Sequence, residues 1–216
     1  WVAKNGGDQK FNEIAVNHAN TTIKNHYRPD YSSYHVVDYD LETGKIIKKA
    51  THQGYADESA WARGQAWGLY GFTLMYRFTK DAAYLSQATH IADFLLNHPN
   101  LPADKIPYWD FNAPDIPNAR RDASAGAIMA SALLELSRYT DSKKSRIYKN
   151  AAEVMLRSLS SPAYRAKVGT NGAFILEHNV GHFPNHSEID VPLTYADYYF
   201  VEALCRYKEW FIKDRG

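Results

Sequence analysis

HQGYADESAWARGQAWGLYGF, residues 52–72, is the stretch of this chain that departs most from an ordinary buried helix. It places one arginine, two tryptophans and four glycines on a predicted helix and the loop before it. A glycine inside a helix costs about 1 kcal/mol relative to alanine, so Gly64, Gly68 and Gly71 need a reason such as the close approach of another helix or a ligand. The stretch therefore predicts a helix that another helix or a ligand approaches closely.

The same helix carries a cation beside aromatic rings. Arg63 and Trp67 are four residues apart, which places a guanidinium and an indole one turn apart on one face, with Trp61 on a flank. A forked guanidinium suits a carboxylate, and an indole stacks on the apolar face of a sugar. The pattern indicates a site for an acidic sugar such as a uronic acid, and packing of amphipathic side chains between helices remains the alternative.

The composition limits the classes of protein that fit. With 216 residues, of which 45% are hydrophobic, the chain can bury one sizeable core and does not require two domains. Lys plus Arg number 25 against 24 Asp plus Glu, without a basic stripe, which argues against nucleic acid and anionic membranes as main partners. No apolar run reaches the ~18 residues of a membrane helix.

Apolar residues at helical spacing predict a mainly helical fold. The six predicted helices lie near 8–25, 58–78, 81–97, 122–140, 142–160 and 191–212. The plausible residues at helix starts are Asp8, Asp57, Asp81, Asp122 and Ser142. Residues 35–50 alternate and turn at Gly44, which predicts one surface β-hairpin as the only strand pair.

A weak internal repeat suggests how the helices are arranged. The segment Tyr76–Thr79 recurs as Ser137–Thr140, each near the end of a predicted helix. Repeating helix pairs, one rich in small residues and the next more charged, are typical of stacked helical hairpins in a ring or solenoid. A generic helical bundle with chance similarity is the alternative.

Metal and cofactor sites are not predicted. His178, His182 and His186 are spaced four apart, but Gly181 and Pro184 interrupt any helical face between them. The chain contains no nucleotide-binding glycine motif and no GxSxG nucleophile motif, and Cys205 is its single cysteine. The sequence therefore predicts neither a metal nor a cofactor.

Candidate catalytic carboxylates are present but ambiguous. Hydrolysis of sugars usually needs an acid and a base or nucleophile at a fixed separation. The candidates are Asp57, Glu58, Asp110, Asp122 and Asp190. Helix caps or turns explain most of them without chemistry. In contrast, His35 and Gln53 can point into the same mouth as Arg63 and Trp67, and together these four form a polar, aromatic constellation.

Three segments carry a specific resemblance. They are QGYADESAWARGQAWGLYGF at 53–72, PYWDFNAPDIPNARRDASAGAIMASALLEL at 107–136 and DYYFVEALCRY at 197–207. On these segments the chain resembles the unsaturated glucuronyl hydrolases of glycoside hydrolase family 88, bacterial enzymes that act on lyase-generated glycosaminoglycan fragments. The likeness covers nearly the whole chain.

The resemblance implies a fold and a chemistry. Members of the family are (α/α)6 barrels, that is, toroids of helical hairpins, with the substrate in a pocket at one end. An aspartic acid protonates the C4=C5 double bond of the unsaturated uronate, water adds at C5, and the hemiketal that forms falls open. The substrate contacts carry over onto His35, Gln53, Arg63 and Trp67, with Trp61 and Ser187 as possible further contacts.

The resemblance also implies what this chain lacks. The family's two essential aspartates are expected before Trp1, so no catalytic residue is predicted within these 216 residues, which form the C-terminal portion of a single barrel domain. Half a barrel leaves inner helix faces exposed, and self-association is then expected. We expect little or no hydrolase activity from the chain alone.

Two other functions remain open. Unsaturated rhamnogalacturonyl hydrolases of family 105 share the fold and chemistry but act on pectin fragments, although the spacing of Gln53, Arg63 and Trp67 favours family 88. A non-catalytic sugar-binding module is the third possibility. The loop at 185–192 is where selectivity for sulfated sugars is expected, and a periplasmic or cytoplasmic location would follow from the family.

Overall fold

Six α-helices and two β-hairpins make up the part of the chain that the structure, a computed structural model, describes, which is residues 1–212. The helices are α1 (Lys10–His26), α2 (Ala62–Thr79), α3 (Ala82–Asn97), α4 (Ala123–Leu136), α5 (Ser142–Ser160) and α6 (Thr194–Tyr207). The strands are β1 (Val36–Tyr39), β2 (Ile46–Ala50), β3 (Asn179–His182) and β4 (Ser187–Val191). The mainly helical class predicted from the sequence is confirmed.

All six predicted helices are present, with shifts at their ends. Helix α2 begins at Ala62 rather than near residue 58, because residues 52–59 form bends and turns and Trp61 forms an antiparallel bridge with Asp110. Helix α6 begins at Thr194 rather than at 191, because β4 extends to Val191 and Pro192 follows it. Tertiary pairing therefore sets both starts.

The helix caps agree with the prediction in part. Asp81 accepts a hydrogen bond from the Ala83 N–H at the start of α3, as predicted. The prediction for Asp57 is wrong, because its carboxylate accepts from the Thr51 N–H in the loop before α2. Ser142 is the first residue of α5, as predicted, and the Asp141 side chain caps this helix.

The prediction of a single β-hairpin is wrong. The predicted hairpin forms from β1 and β2, but β3 and β4 pair into a second one. The sequence of this second hairpin does not alternate, and it contains left-handed residues such as His186 and Glu188. Its strands are held by tertiary contacts, since Val180 is buried against the long loop at 99–121.

Helix α4 is the centre of the core. Each of its 14 residues is buried, and it packs against α2, α5 and α6. A mostly apolar helix is suited to such a position, and its many small residues allow neighbours to approach closely. Because α4 packs on one side of α2, another side of α2 is free to border a cleft.

A second, smaller cluster joins the long loop to the second hairpin. Tyr108, Trp109 and Val180 are buried together, and the Trp109 ring stacks on Phe183 with the ring centroids 4.3 Å apart. The long loop, residues 99–121, lies between α3 and α4 and consists of turns and isolated bridges. This cluster fixes the position of β3 relative to the start of α2.

Helix α1 makes few contacts with the rest of the fold. Ala19 is its one buried residue, and Phe11 and Ile14 are 48% and 59% exposed. Tyr198 on α6 is 60% exposed as well. Among residues 1–212, none of the helices combines the length and apolar character required to cross a membrane.

Candidate functional site

A cleft of about 870 Å³ separates α1 from α2. One part of it is apolar and lies between residues such as Phe11, Phe72 and Met75. Its polar and aromatic lining includes Tyr27, His26, Tyr34, His35, Gln53, Trp61 and Trp67. Three of the four predicted substrate contacts, and Trp61, therefore border one cavity. Their part in substrate binding stays a prediction.

The glycines of α2 allow side chains to approach closely. A Cβ at Gly68 would lie 2.1 Å from the Tyr27 hydroxyl, and one at Gly64 would lie 2.8 Å from the Trp61 ring. A Cβ at Gly71 would meet nothing within 4 Å. Gly64 and Gly68 therefore need to be small because two aromatic side chains that border the cleft, Trp61 and Tyr27, lie against them.

His35 is held neutral at the polar end of the cleft. Its Nδ1 accepts hydrogen bonds from the backbone N–H groups of His52 and Gln53, each 3.1 Å long, and its ring lies 4.3 Å from that of Trp61. Burial, followed by the nearby positive charges of His52 and Arg63, lowers the pKa of His35 from 6.5 to about 4. At neutral pH this ring is an uncharged hydrogen-bonding group.

Gln53 and Trp67 are each anchored by a group outside the cleft. The Gln53 Nε2 donates to the backbone oxygen of Gly181 over 2.9 Å. The half-buried Trp67 ring meets Tyr199 of α6 edge to face, with the centroids 5.0 Å apart. Both side chains are therefore fixed before any ligand arrives, which favours a rigid binding wall.

Arg63 does not face the cleft. Its side chain is 3% exposed and donates to Asp122 Oδ2 over 2.8 Å, to the Gly181 oxygen over 2.6 Å and to the Val180 oxygen. The guanidinium also lies 4.6 Å from the Trp61 ring. The expectation that Arg63 and Trp67 share one open cavity is not met, because Asp122 and two backbone carbonyls accept hydrogen bonds from the buried guanidinium. A part for Arg63 in substrate binding stays a prediction.

The candidate carboxylates have structural partners. Asp110 is fully buried and accepts from the Tyr55 N–H, the Ser59 hydroxyl and the Asn112 N–H at 2.7–2.9 Å. Asp190 lies 2.6 Å from His178 and 2.8 Å from Arg120. Of the five candidates, Asp57, Glu58, Asp110, Asp122 and Asp190, none borders the cleft within residues 1–212.

The contact between His52 and His182, beside the site, was not predicted from the sequence. The Nε2 atoms of His52 and His182 are 3.1 Å apart, and the two rings meet edge to face. They are 130 residues apart in the sequence, so no local spacing could reveal the contact. Ser187, predicted as a further contact, is exposed and pairs with His182 in the second hairpin.

The histidines considered as metal ligands have different partners. His178 pairs with Asp190, whereas His182 pairs with His52. Over residues 1–212, no group of three His, Cys, Asp or Glu side chains is arranged to hold a metal ion.

The fold and the cleft define a class of protein: a mainly helical domain with a cleft lined by aromatic and histidine side chains. By sequence, the chain is similar to the unsaturated glucuronyl hydrolases. It is 50% identical over 212 residues to the unsaturated glucuronyl hydrolase of Formosa agariphila, a match that covers 98% of this chain and 52% of that protein. No family model matches the chain.

Solved structures give the same result. The chain is 53% identical to an unsaturated glucuronyl hydrolase specific for heparin, with a TM-score of 0.90 over 95% of this chain and 56% of that one. It is 39% identical to a mutant of the Streptococcus agalactiae enzyme complexed with dGlcA-GalNAc6S, with a TM-score of 0.83 over 96% and 55% of the two chains.

These comparisons confirm the resemblance that the sequence motifs predict. The proteins that the chain matches are enzymes. The chain spans about half the length of each relative, since it covers 52% to 56% of them.

Proposed function

We propose that this chain supplies the substrate-holding part of an unsaturated glucuronyl hydrolase that acts on unsaturated uronyl oligosaccharides from glycosaminoglycans. One observation supports the proposal most strongly. The chain is similar to such enzymes over 98% of its length, and the side chains His35, Gln53, Trp61 and Trp67 border a single cleft. The S. agalactiae mutant bound to dGlcA-GalNAc6S supports an unsaturated disaccharide as the ligand.

The proposed reaction is hydration of the C4=C5 bond of the unsaturated uronate. A proton is delivered to the double bond, water adds at C5, and the hemiketal opens to release the neighbouring sugar. The residues of this chain bind and orient the ring. Trp67 forms a wall, neutral His35 and Gln53 hydrogen-bond to sugar hydroxyls, and Arg63 supports the site through Trp61 and Gly181.

In this proposal the proton donor lies outside these 216 residues, and the chain is the C-terminal portion of a single (α/α)6-barrel catalytic domain. Two observations support this view. The five candidate carboxylates hold structural partners instead of bordering the cleft, and the chain matches about half of each relative. The exposed apolar residues Trp1, Phe11 and Tyr198 are then covered in the complete barrel, and self-association is expected where they are not.

A non-catalytic sugar-binding module is the remaining alternative for the isolated chain. The family 105 alternative receives no support, because the relatives described above are unsaturated glucuronyl hydrolases. Binding and turnover therefore have to be measured separately.

The test is titration of the chain with an unsaturated chondroitin disaccharide. Tryptophan fluorescence reports binding, because Trp61 and Trp67 border the cleft, and ultraviolet absorbance of the 4,5-alkene reports turnover. We expect saturable binding without loss of the alkene signal. Trp67→Ala should weaken binding by about 10-fold, which corresponds to about 1.4 kcal/mol, because it removes the indole wall of the cleft.

The matched control is Tyr198→Ala, since Tyr198 is an exposed aromatic residue of α6 that does not border this cleft. This variant should bind as the unchanged chain does. Absence of saturable binding would contradict the proposed site. Loss of the alkene signal would contradict the proposal that the proton donor lies elsewhere.

A further inference from the structure

The Arg63–Asp122 ion pair joins three elements of the fold. Arg63 comes from the first turn of α2, and Asp122 precedes the first residue of α4. The guanidinium also donates to the carbonyls of Val180 and Gly181 in β3. Because the side chains of Arg63 and Asp122 are 3% and 0% exposed, the contact is shielded from water and competing ions.

Asp122 has two separate tasks. Its Oδ1 accepts from the Ser124 and Ala125 N–H groups and from the Ser124 hydroxyl, which caps α4. Its Oδ2 accepts from Arg63. The cap needs only a short polar acceptor, whereas the contact with Arg63 needs a negative charge to offset the buried guanidinium.

The backbone that Arg63 holds leads directly to His182. The Gly181 oxygen accepts from both Arg63 and Gln53. The next residue, His182, reaches His52 through its Nε2, and its Nδ1 accepts from the Asn185 N–H over 3.3 Å. A neutral His182 therefore carries its proton on Nε2 and donates it to His52.

The contacts close into a ring at the polar end of the cleft. The backbone N–H of His52 donates to His35, and the His35 ring lies against Trp61. Trp61 in turn lies 4.6 Å from the Arg63 guanidinium. A substitution of Arg63 is therefore expected to displace two parts of the same rim, one through Gly181 and the other through Trp61.

We propose that Asp122 is a positioning residue: through Arg63 it holds the Val180–Gly181 backbone and thereby fixes His182 against His52 at the rim of the cleft. The inference rests on the proposed function only in taking this cleft as the sugar site. The positioning itself is a property of the free chain and is measured without a ligand.

The Asp122→Asn variant tests the positioning. Asparagine is a good cap and has nearly the same volume, so α4 is preserved while the charge that attracts Arg63 is removed. The readouts are nuclear magnetic resonance measurements at pH 8: long-range ¹H–¹⁵N spectra that report the tautomer of each histidine, and the ring-to-ring nuclear Overhauser effect between His52 and His182. We expect the variant to lose the Overhauser effect and the single Nε2–H tautomer of His182.

The Arg120→Lys variant is the matched control. Arg120 also reaches the second hairpin, through Asp190 over 2.8 Å, but its side chain is 57% exposed. This variant should keep both histidine signatures. Retention of both signatures in folded Asp122→Asn protein would overturn the proposal, and so would their equal loss in the control.

A second variant covers the case in which Asp122→Asn does not fold. Arg63→Met combined with Asp122→Asn removes both charges, so no buried guanidinium is left unpaired. The proposal expects this folded variant to lose the same His52–His182 signatures, and their retention would contradict it.

The functional consequence is measured by disaccharide binding. A displaced rim should weaken binding of the unsaturated chondroitin disaccharide about 10-fold in Asp122→Asn, because loss of orientation is costly in a preorganised site. If the histidine signatures are lost but the unchanged chain itself binds no disaccharide, the proposed function fails and the positioning stands. If binding weakens while the signatures remain, the positioning inference fails.

Discussion

Helix α2 carries an arginine near each end, and the two are used differently. Arg63 at the start is 3% exposed and divides its donors between one carboxylate and two backbone carbonyls. Arg77 at the other end is 34% exposed and pairs with Glu135 of α4, which also pairs with Arg206 of α6 over 3.2 Å. Arg63 joins α2 to β3 and to the start of α4, whereas Arg77 joins α2 to α4.

This difference in partners indicates that the Arg77 end of α2 serves stability and the Arg63 end serves the cleft. At the Arg77 end, the network continues through Glu202, which accepts from the Tyr70 hydroxyl and Ser131. It joins α2, α4 and α6 and contains no group of the cleft lining. At the Arg63 end, the same kind of ion pair controls the backbone that presents His182. We therefore expect substitutions at the two ends to affect different measurements.

The largest expected effect is on the stability of the Asp122→Ala variant. Alanine removes the cap of α4 and leaves a buried guanidinium unpaired, so the free energy of unfolding should fall by about 3–5 kcal/mol. Urea unfolding measures this loss. Asp122→Asn keeps the cap and should lose less. A fall of less than about 1 kcal/mol in the alanine variant would mean that the Arg63 pair is not needed.

The next largest effect sharpens the contrast between the ends of α2. Glu135 is buried and faces two arginines, so Glu135→Ala should lower the free energy of unfolding by about 2–4 kcal/mol. In the folded variant, the His52–His182 ring contact should be unchanged. Loss of that contact on substitution of Glu135 would show that the two ends of the helix are coupled and would break the comparison.

A smaller effect is expected within the cleft face of α2. A Cβ at Gly68 would lie 2.1 Å from the Tyr27 hydroxyl, so Gly68→Ala should destabilise the fold by about 1–3 kcal/mol. Gly71→Ala is the matched control, because no atom lies within 4 Å of its Cβ, and it should stabilise the helix by about 0.5–1 kcal/mol. Thermal unfolding should move the two variants in opposite directions. A stabilised Gly68→Ala variant would contradict the close approach of Tyr27.

The pH-dependent effect concerns the neutral state of His35. Its pKa is about 4 in the folded chain against an ordinary value of 6.5, so the unfolded chain takes up a proton between these pH values and the folded chain does not. The contribution of His35 to stability is complete above pH 6.5 and is lost as the pH falls towards 4.

The His35→Asn variant isolates this contribution. The asparagine oxygen can accept from the same N–H groups of His52 and Gln53 but does not titrate in this range. Denaturant unfolding at several pH values should give a flatter dependence for the variant between pH 6.5 and 4. Identical slopes in both proteins would contradict the lowered pKa.

The helices and the cleft face of α2 could be predicted because local spacing encodes them. The apolar periodicity located six helices, and Gly64, Gly68 and Trp67 indicated the face that borders the cleft. The burial of Arg63 could not be predicted, because its partners at 122, 180 and 181 lie far along the chain. The Arg63 side chain points to these distant acceptors instead of the expected cavity, and no local sequence pattern reveals them.

The second hairpin and the histidine pair were missed for the same reason. β3 and β4 are short and irregular, and they are fixed by burial of Val180 rather than by alternation of their own residues. Arg63 and Gln53 hold the Gly181 carbonyl, and the next residue, His182, lies against His52. Contacts across more than 100 residues therefore decide the rim of the site.

The central claim is that this chain holds an unsaturated uronyl sugar at the end of the cleft bordered by Trp61 and Trp67. Nuclear magnetic resonance of the tryptophan indole N–H groups during titration with an unsaturated chondroitin disaccharide tests it most directly. The account predicts that the Trp61 and Trp67 signals shift and saturate, whereas those of Trp109 and Trp210, which do not border the cleft, stay in place. Unmoved Trp61 and Trp67 signals at saturating disaccharide would contradict it.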